Sequence, residues 1–177
     1  MWIAVELFDE PVSVGMLEQA AVALGHAYGF GCPPEIQRAD KLAPDLDPPL
    51  VRIWLDVPPT PGAYQLLLDA LTMINVRARQ LMTFPSTYGG AVHYEKEPPG
   101  LEVWATTPAL YARKHGDCDD LALDRAGELV AAGHEARAFA ELQHKDGERD
   151  YYHVMVRTPW GVEDPSRPLG MSPMEAV

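Results

Sequence analysis

The sequence is short of positive charge: 14 Lys and Arg stand against 26 Asp and Glu, which gives the 177-residue chain a formal net charge of −12. Because contacts to nucleic-acid phosphates need a basic face, this balance argues against nucleic acid as a partner, and against an anionic membrane surface for the same reason. No apolar run approaches the roughly 18 residues that a membrane-spanning helix needs. The first residues carry an early acid, Glu6, and no basic region, so they do not predict an export signal.

Cysteine is also scarce. Cys32 and Cys118 are the only two, which is too few for a disulfide framework, and no ligand spacing supports a zinc site between them. With 47% apolar and 23% charged residues the composition is that of an ordinary globular protein. The length fits one domain, or a domain with a small appendage. We therefore expect a cytoplasmic protein whose thiols are reduced.

The first half of the chain predicts alternating strands and helices. Alternation of apolar and polar residues predicts strands over Trp2–Leu7 and Leu50–Val57. Apolar residues at helical spacing predict helices over Ser13–Tyr28 and Ala63–Met82. The proline- and acid-rich stretch Gly31–Pro49 predicts a connecting loop. This β-α-β-α order carries no recognisable chemistry, and a scaffold or a docking surface is its expected role.

The second half predicts a helix followed by an antiparallel sheet, which makes the expected fold class α+β. Glycine just past the last helical residue is a common stop, and short glycine-containing runs between strands predict hairpin turns. The expected elements are a helix from Asp117 to about Ala132 closed by Gly133, strands at Ala136–Leu142 and Tyr151–Arg157, a short strand ending near Asp164, and turns at Lys145–Glu148 and Thr158–Gly161.

Cys118 is expected in the first turn of that helix, within the run His115–Asp120. Unpaired N–H groups and the helix dipole at such a position stabilise a thiolate and lower the pKa of a thiol. The neighbouring acids oppose this effect, so an imidazolium close to the thiol would be needed to tip the balance. The alternative is a small buried cysteine that packs beneath the helix.

A histidine and an aspartate on the following strands suit that requirement. His153 lies in the alternating strand Tyr151–Val156, and Asp164 follows across the turn at Thr158–Gly161. Residues on one face of paired strands, opposite or one diagonal step apart, have Cβ atoms about 4.5 to 8 Å apart. An aspartate at that distance orients the imidazole and fixes its tautomer. Taken singly, His153 reads as a satisfied strand histidine and Asp164 as a turn residue.

This ordered combination resembles the transglutaminase-like cysteine protein superfamily, whose core is related to papain. The resemblance covers roughly residues 85–171, and from Glu97 to Met171 the chain is further similar to small transglutaminase-like proteins of phage and prophage genes. The first half shows no match to a known family. The matching residues are the run Gly116-Asp117-Cys118-Asp119-Asp120, then His153, then Asp164-Pro165-Ser166, with Trp104 and Pro108 upstream similar to the tryptophan and proline of the bacterial transglutaminase-like peptidases.

The resemblance implies a fold and a division of labour. Residues 85–177 would form a transglutaminase-like, papain-like core in which the cysteine helix packs on an antiparallel sheet, after an N-terminal segment, residues 1–84, of unknown role. Cys118 would be the nucleophile, His153 the general base and then acid, and Asp164 the orienting group. A thioester would form and be resolved by water or by an amine.

The resemblance also implies how a substrate would be held. The backbone N–H of Cys118 is the expected first oxyanion donor, and the indole N–H of Trp104 is a candidate for the second. Tyr152 is a candidate for a substrate groove. Protein or peptide is the expected substrate, and no cofactor is required. Calcium is a further possibility, because some bacterial members bind it at positions that match Asp117 and Asp119, although acids are also common at helix starts.

Two other classes of protein stay open. A phage or prophage tail or assembly protein would keep the fold and the triad without turnover, would use the first half for docking, and would be incorporated in the phage particle. A non-catalytic calcium- or peptide-binding module is the third class. His115 gains no role from lying beside the cysteine turn, and His93 and His134 are expected to be surface or satisfied histidines.

Overall fold

The computed structural model describes residues 1–9, 11–28, 37–43, 49–98, 102–146 and 149–172. Within these ranges the chain mixes helices with antiparallel and parallel strands, which confirms the α+β class. The strands are β1 (Trp2–Phe8), β2 (Gln37–Ala43), β3 (Leu50–Asp56), β4 (His93–Tyr94), β5 (Val103–Ala105), β6 (His115–Gly116), β7 (Arg137–Asp146), β8 (Arg149–Thr158) and β9 (Gly161–Glu163), and the helices are α1 (Pro11–Tyr28), α2 (Pro61–Leu81), α3 (Thr107–Arg113) and α4 (Cys118–Ala131).

The larger sheet joins the two halves of the sequence. Its strand order is β2-β3-β1-β5, with β1 antiparallel to β3 and parallel to β5, so that Val5 lies opposite Trp104. The side chains of β1 are buried on both faces, as its nearly unbroken apolar sequence favours. One core cluster contains residues from both sides of position 84, from Ile3 to Val156.

A buried carboxylate adds a polar tie across the same junction. Glu6 in β1 is 2% exposed, and its two oxygens bind Arg52 of β3 and Arg113 of α3. A buried charge is stable only when it is paired and hydrogen-bonded, and two guanidinium groups meet that need. The contact therefore fixes α3 against the larger sheet.

The predicted loop at Gly31–Pro49 is wrong over Gln37–Ala43, which forms the edge strand β2. Its pairing with β3 shifts register between Ala39 and Lys41 and again between Lys41 and Ala43. An edge strand pairs on one side only, and bulges that break the alternation are common there. With these register shifts, the sequence of β2 does not show the regular alternation of apolar and polar residues from which a strand is predicted. Residues 31–36, which include Cys32, and residues 44–48 lie outside the described residues.

The predicted helices of the first half are confirmed, with small shifts at their ends. α1 begins at Pro11 rather than Ser13, and α2 begins at Pro61 after Thr60, whose hydroxyl accepts a hydrogen bond from the backbone N–H of Ala63 at 3.2 Å. Proline in the first turn is favoured because the missing N–H is unpaired there in any case. None of the helices in the described ranges is long and apolar enough to cross a bilayer.

The second half contains the predicted helix and hairpins. α4 ends at Ala131, and Gly133 adopts a φ of 86°, in the left-handed region that glycine tolerates. The smaller sheet has the order β7-β8-β9, and the turn at Thr158–Gly161 joins its last two strands. Of the other predicted turn, Gly147 and Glu148 lie outside the described residues. Helix α3 was missed, although Pro108 in its first turn is a recognisable start signal.

α4 is held in place by a buried polar network. Asp124 is fully buried and pairs with Arg79 of α2, whose Nη2 lies 2.7 Å from Oδ1. The hydroxyl of Thr107 donates to the same oxygen at 2.7 Å, and those of Thr87 and Tyr111 donate to Oδ2 at 2.8 and 3.3 Å. The network connects α4 to α2, to α3 and to the loop before β4.

The backbones of α2 and α4 approach closely at Gly127. A Cβ built there would lie 2.6 Å from the Cβ of Asn75, which is fully buried. Glycine in the middle of a helix costs about 1 kcal/mol relative to alanine. The close packing of the two helices explains why that cost is accepted here.

We expect Gly127→Ala to lower the free energy of unfolding by about 1–3 kcal/mol, because the added methyl group forces the two helices apart. Gly15 in α1 is the matched control, since a Cβ there meets nothing within 4 Å. Gly15→Ala should raise the free energy of unfolding by about 0.5–1 kcal/mol through helix propensity alone. Urea denaturation measures both changes, and equal effects of the two substitutions would contradict the packing argument.

Candidate functional site

Cys118 is the first residue of α4, where the sequence predicts it. Asp117 precedes it in an extended conformation and makes no capping hydrogen bond through its side chain. The turn into the helix requires glycine at position 116, because a Cβ there would lie 2.6 Å from Oδ2 of Asp120 and 2.8 Å from Cδ1 of Leu110. The chain therefore enters α4 tightly enough to bury the acids of the first turn.

The thiol of Cys118 lies against β8. Cys118 is partly exposed and packs on the main core, and the backbone N–H of Val154 lies close enough to its sulfur to act on its pKa. Val154 directly follows His153 in the strand. The helix start and the histidine strand are thus in contact at the residue next to the predicted base.

His153 and Asp164 form a close, largely buried pair. Nε2 of His153 lies 3.0 Å from Oδ2 of Asp164, and the two side chains are 8% and 15% exposed. The two atoms are close, but Nε2 of His153 makes no aligned hydrogen bond in this conformation. Asp164 directly follows β9. If the register of β8 and β9 is extended by one residue, Asp164 lies opposite Met155 and one diagonal step from His153.

Neighbouring groups fix the carboxylate of Asp164. The Nε of Arg167 lies 2.9 Å from Oδ2, and the backbone N–H of Ser166 donates to Oδ1 at 3.2 Å. Arg167 itself is 60% exposed, so its charge is well solvated and adds little to the pair. The run that follows β9 therefore presents Asp164 to the imidazole in one orientation.

The other predicted site residues lie in an aromatic group. Trp104 is buried in β5, and its indole N–H donates to Oε1 of Glu102 at 2.8 Å, so in this conformation it is not directed at an oxyanion. The ring of Tyr152 meets Tyr64 edge-on at 5.3 Å, and Tyr64 lies 6.3 Å from Trp104. Sequence reasoning missed Tyr64, although it lies three residues before Leu67 on the buried stripe of α2.

Carboxyl groups crowd the start of α4. Asp119 and Asp120 are 5% and 1% exposed, and Asp117 and Glu102 lie close enough to interact with them. One oxygen of Asp120 accepts the backbone N–H of Ala105. Buried oxygens without a hydrogen-bond partner remain on three residues of this group, which are Asp117 (Oδ1), Asp119 (Oδ1) and Asp120 (Oδ2).

This crowding decides the protonation of the thiol. Burial, followed by the charge of Asp117, raises the pKa of Cys118 well above its ordinary value, although the N–H of Val154 acts in the opposite direction. Burial and the same charge raise the pKa values of Asp119 and Asp120. The stabilisation of a thiolate by the helix end is therefore outweighed by desolvation and by the acids, and the resting thiol is protonated at neutral pH.

The acids next to the thiol have part of what a calcium ion needs. Ligand atoms of Asp117, Cys118 and Asp119 all lie within 4.8 Å of one another, and the unpartnered carboxylate oxygens are the hard donors that calcium prefers. Calcium takes six to eight oxygens, however, so these residues would fill only part of its shell. The donor type fits the ion, and waters or further groups would have to complete the number.

A cleft of about 310 Å³ opens beside Asp117. It is lined by the acids Glu97 and Asp120 as well as by Arg52 and Arg113, the two partners of Glu6. Both signs of charge therefore meet at its wall. Burial and the charge of Asp117 raise the pKa of Glu97 to about 7.

Comparison with known proteins gives no relative: no family model, curated protein or solved structure matches the chain.

The raised pKa of Glu97 makes stability depend on pH. The pKa of Glu97 rises from about 4.5 in the unfolded chain to about 7 in the folded protein, so the folded protein holds the proton to a higher pH. The protonated side chain therefore contributes to stability below about pH 4.5, and this contribution is lost as the pH rises through 7. We expect the melting temperature to fall between pH 5 and pH 8. Glu97→Gln should reduce that fall by at least about 2 °C, and Glu141→Gln, on the exposed part of β7, should not. Identical pH profiles for all three proteins would contradict the assignment.

The charge of Asp117 should govern the reactivity of the thiol. In a Cys32→Ser background, Asp117→Asn removes the carboxylate whose charge raises the pKa of Cys118 most. The pKa of the thiol should therefore fall, and the thiolate fraction should rise. We expect iodoacetamide to label this variant several-fold faster than the parent at pH 8, with Glu141→Gln as the control. An unchanged or slower rate would mean that the acid does not control the thiol.

Proposed function

We propose that the protein is a transglutaminase-like cysteine hydrolase that acts on peptide or glutamine-type amide bonds through Cys118, His153 and Asp164. The observation that carries the proposal is the 3.0 Å contact between Asp164 and Nε2 of His153, on a strand whose next residue, Val154, has its backbone N–H close to the thiol of Cys118. A nucleophile, a base and a group that orients the base are the parts that acyl transfer requires.

The packing of α4 on the smaller sheet supports the finer fold assignment. The cysteine helix contacts β8 at its first residue, and residues 118–131 precede the three antiparallel strands in the chain. This is the order expected of a transglutaminase-like, papain-like core. Its substrate would be a protein or a peptide, approached from the partly exposed side of Cys118.

In this proposal the two ring nitrogens of His153 have different tasks. Because Nε2 faces Asp164, Nδ1 is the nitrogen left to take the thiol proton. The sulfur then attacks the amide carbon, a C–S bond forms, and the carbonyl electrons move to oxygen. The backbone N–H of Cys118 has no partner inside the helix and can donate to that oxyanion.

Collapse of this intermediate completes the transfer. The C–N bond breaks, the leaving amine takes the proton from His153, and a thioester remains on Cys118. Water or a second amine, deprotonated by His153, attacks the thioester and releases the thiol. For Trp104 to be a second oxyanion donor, its indole N–H must leave Glu102, to which it is bound here.

The raised pKa of the thiol defines the resting state of this mechanism. The thiol is protonated at rest, and His153 removes the proton as the sulfur attacks, rather than beforehand. No cofactor is required for these steps. Calcium held by Asp117 and Asp119 would supply positive charge that offsets the repulsion between the acids and the developing thiolate.

The same electrostatics favour a second candidate function. A thiol kept protonated by its neighbours is what a phage or prophage tail or assembly protein would retain if it uses the fold without turnover. Such a protein would be incorporated in the phage particle, whereas the enzyme would act in the cytoplasm. Reactivity of Cys118 separates the two, because only the enzyme needs His153 to activate the sulfur.

We expect His153→Ala to slow the labelling of Cys118 by iodoacetamide at pH 7 by about 100-fold, the usual size of a general-base contribution. Asp164→Asn should slow it less, since the imidazole stays but loses its orientation. His134→Ala, an exposed histidine at the far end of α4, is the control. Circular dichroism checks that each variant is folded, and mass spectrometry assigns the labelled cysteine.

Two outcomes would overturn the enzymatic proposal. One is a His153→Ala variant that is folded and labels as fast as the wild type. The other is native Cys118 that labels no faster than Cys118 in the urea-unfolded chain, even when calcium is added. Either result leaves the assembly function as the better account of the fold.

A further inference from the structure

Two histidines and a glutamate lie close together at the short strands β4 and β6, and two of the three, Glu95 and His115, line the cleft. His93 lies directly opposite His115 in the parallel pairing of these strands, and their ring centroids are 6.0 Å apart. Oε2 of Glu95 lies 3.7 Å from Nε2 of His93 and 3.7 Å from Nδ1 of His115. One carboxylate oxygen thus faces a nitrogen of each ring.

The backbone holds this arrangement in place. The N–H of His93 donates to the carbonyl of Lys114 at 3.2 Å, and that of Glu95 donates to Gly116 at 2.9 Å. On its other side, β4 is bound through the N–H of Tyr94 to the carbonyl of Leu169 at 2.8 Å. The Cα positions of the three side chains are therefore set by the fold.

An unusual backbone conformation aims His115 at this point. Lys114 has a φ of 69°, the only positive φ at a non-glycine residue in the described ranges. A left-handed conformation at such a residue costs roughly 1–2 kcal/mol. It ends α3 and turns the chain at once into β6, which brings His115 opposite His93.

We propose that His93, Glu95 and His115 form a binding site for a borderline-soft divalent ion of the zinc class. Two imidazoles and one carboxylate are a donor set that zinc accepts, with a fourth position left open to water or to a ligand group in the cleft. In a tetrahedral site with bonds of about 2.0–2.1 Å the ligand atoms lie about 3.3 Å apart, close to the two 3.7 Å separations seen here.

The nitrogens of the two imidazoles that face Glu95 are more than 4.8 Å apart, so both rings would have to turn toward each other to share one ion. The three side chains are between 40% and 61% exposed, so none of them has to break a packed contact in order to turn. The wall of the cleft carries three acids, Glu97, Asp117 and Asp120, together with Arg52, Lys96 and Arg113.

This site is separate from the acids beside the thiol, and it does not depend on catalysis by Cys118. His115 precedes Cys118 by three residues, so an ion bound here would place positive charge close to the start of α4.

Titration of Zn²⁺ into the full chain by isothermal calorimetry tests the proposal. A C32S/C118S protein removes both thiols as competing ligands. We expect one Zn²⁺ to bind to each chain, and His93→Ala, His115→Ala and Glu95→Gln each to weaken binding by at least about tenfold. Mg²⁺ in excess should not compete, because it prefers all-oxygen octahedral sites.

Two controls make the outcome decisive. His134→Ala removes an exposed histidine that contacts Trp160 instead, and it should leave the affinity unchanged. Asp119→Asn removes an acid of the cysteine turn and should do the same. The proposal is overturned if the thiol-free protein binds no Zn²⁺, if His134→Ala weakens binding as much as His93→Ala, or if binding is lost in Asp119→Asn and kept in His115→Ala.

Discussion

The buried pair between Asp124 and Arg79 is the interaction on which the placement of the site depends. Asp124 lies on α4 six residues after Cys118, and its carboxylate meets the guanidinium of α2 and three hydroxyl groups from the surrounding segments. A buried charge tolerates little displacement, because losing one partner leaves it uncompensated at a cost of about 3–5 kcal/mol. The helix is therefore held against β8 in one position, with the thiol close to the backbone of Val154, the residue after His153.

The start of α4 shows two opposed electrostatic effects in one turn. Unpaired N–H groups favour an anion there, and three acids, Asp117, Asp119 and Asp120, lie at this helix start. Asp119 and Asp120 are buried, and this desolvation, followed by the charge of Asp117, raises the pKa values of both carboxyl groups and of the thiol. A standing thiolate is therefore disfavoured, and in the proposed mechanism the proton would leave the sulfur during the attack.

Sequence reasoning succeeded where one residue type has one physical use. Gly116 before Cys118, Gly133 after α4 and the alternation around His153 predicted the helix and the strand, and the turn at Thr158–Gly161 predicted that Asp164 comes within reach of the imidazole. The structure has these groups at the expected places. What they do chemically stays a prediction.

The missed features depend on contacts between distant parts of the chain. The edge strand Gln37–Ala43 takes its shape from pairing with β3, and the His93–His115 pair exists only because two-residue strands meet in parallel. The raised pKa of Cys118 could not be read from neighbours in sequence alone, because it depends on burial and on Glu102. Periodicity is silent on each of these.

The pairing of β1 with β5 has a mechanical meaning. Glu6 is clasped by Arg52 and Arg113, and β5 runs directly into α3, whose end turns through Lys114 and β6 into the cysteine helix. A force that displaces the amino-terminal sheet would be passed through β5, α3 and β6 to the first turn of α4, where the sulfur lies. Displacement of the first half of the chain would therefore change the position of the thiol that it supports.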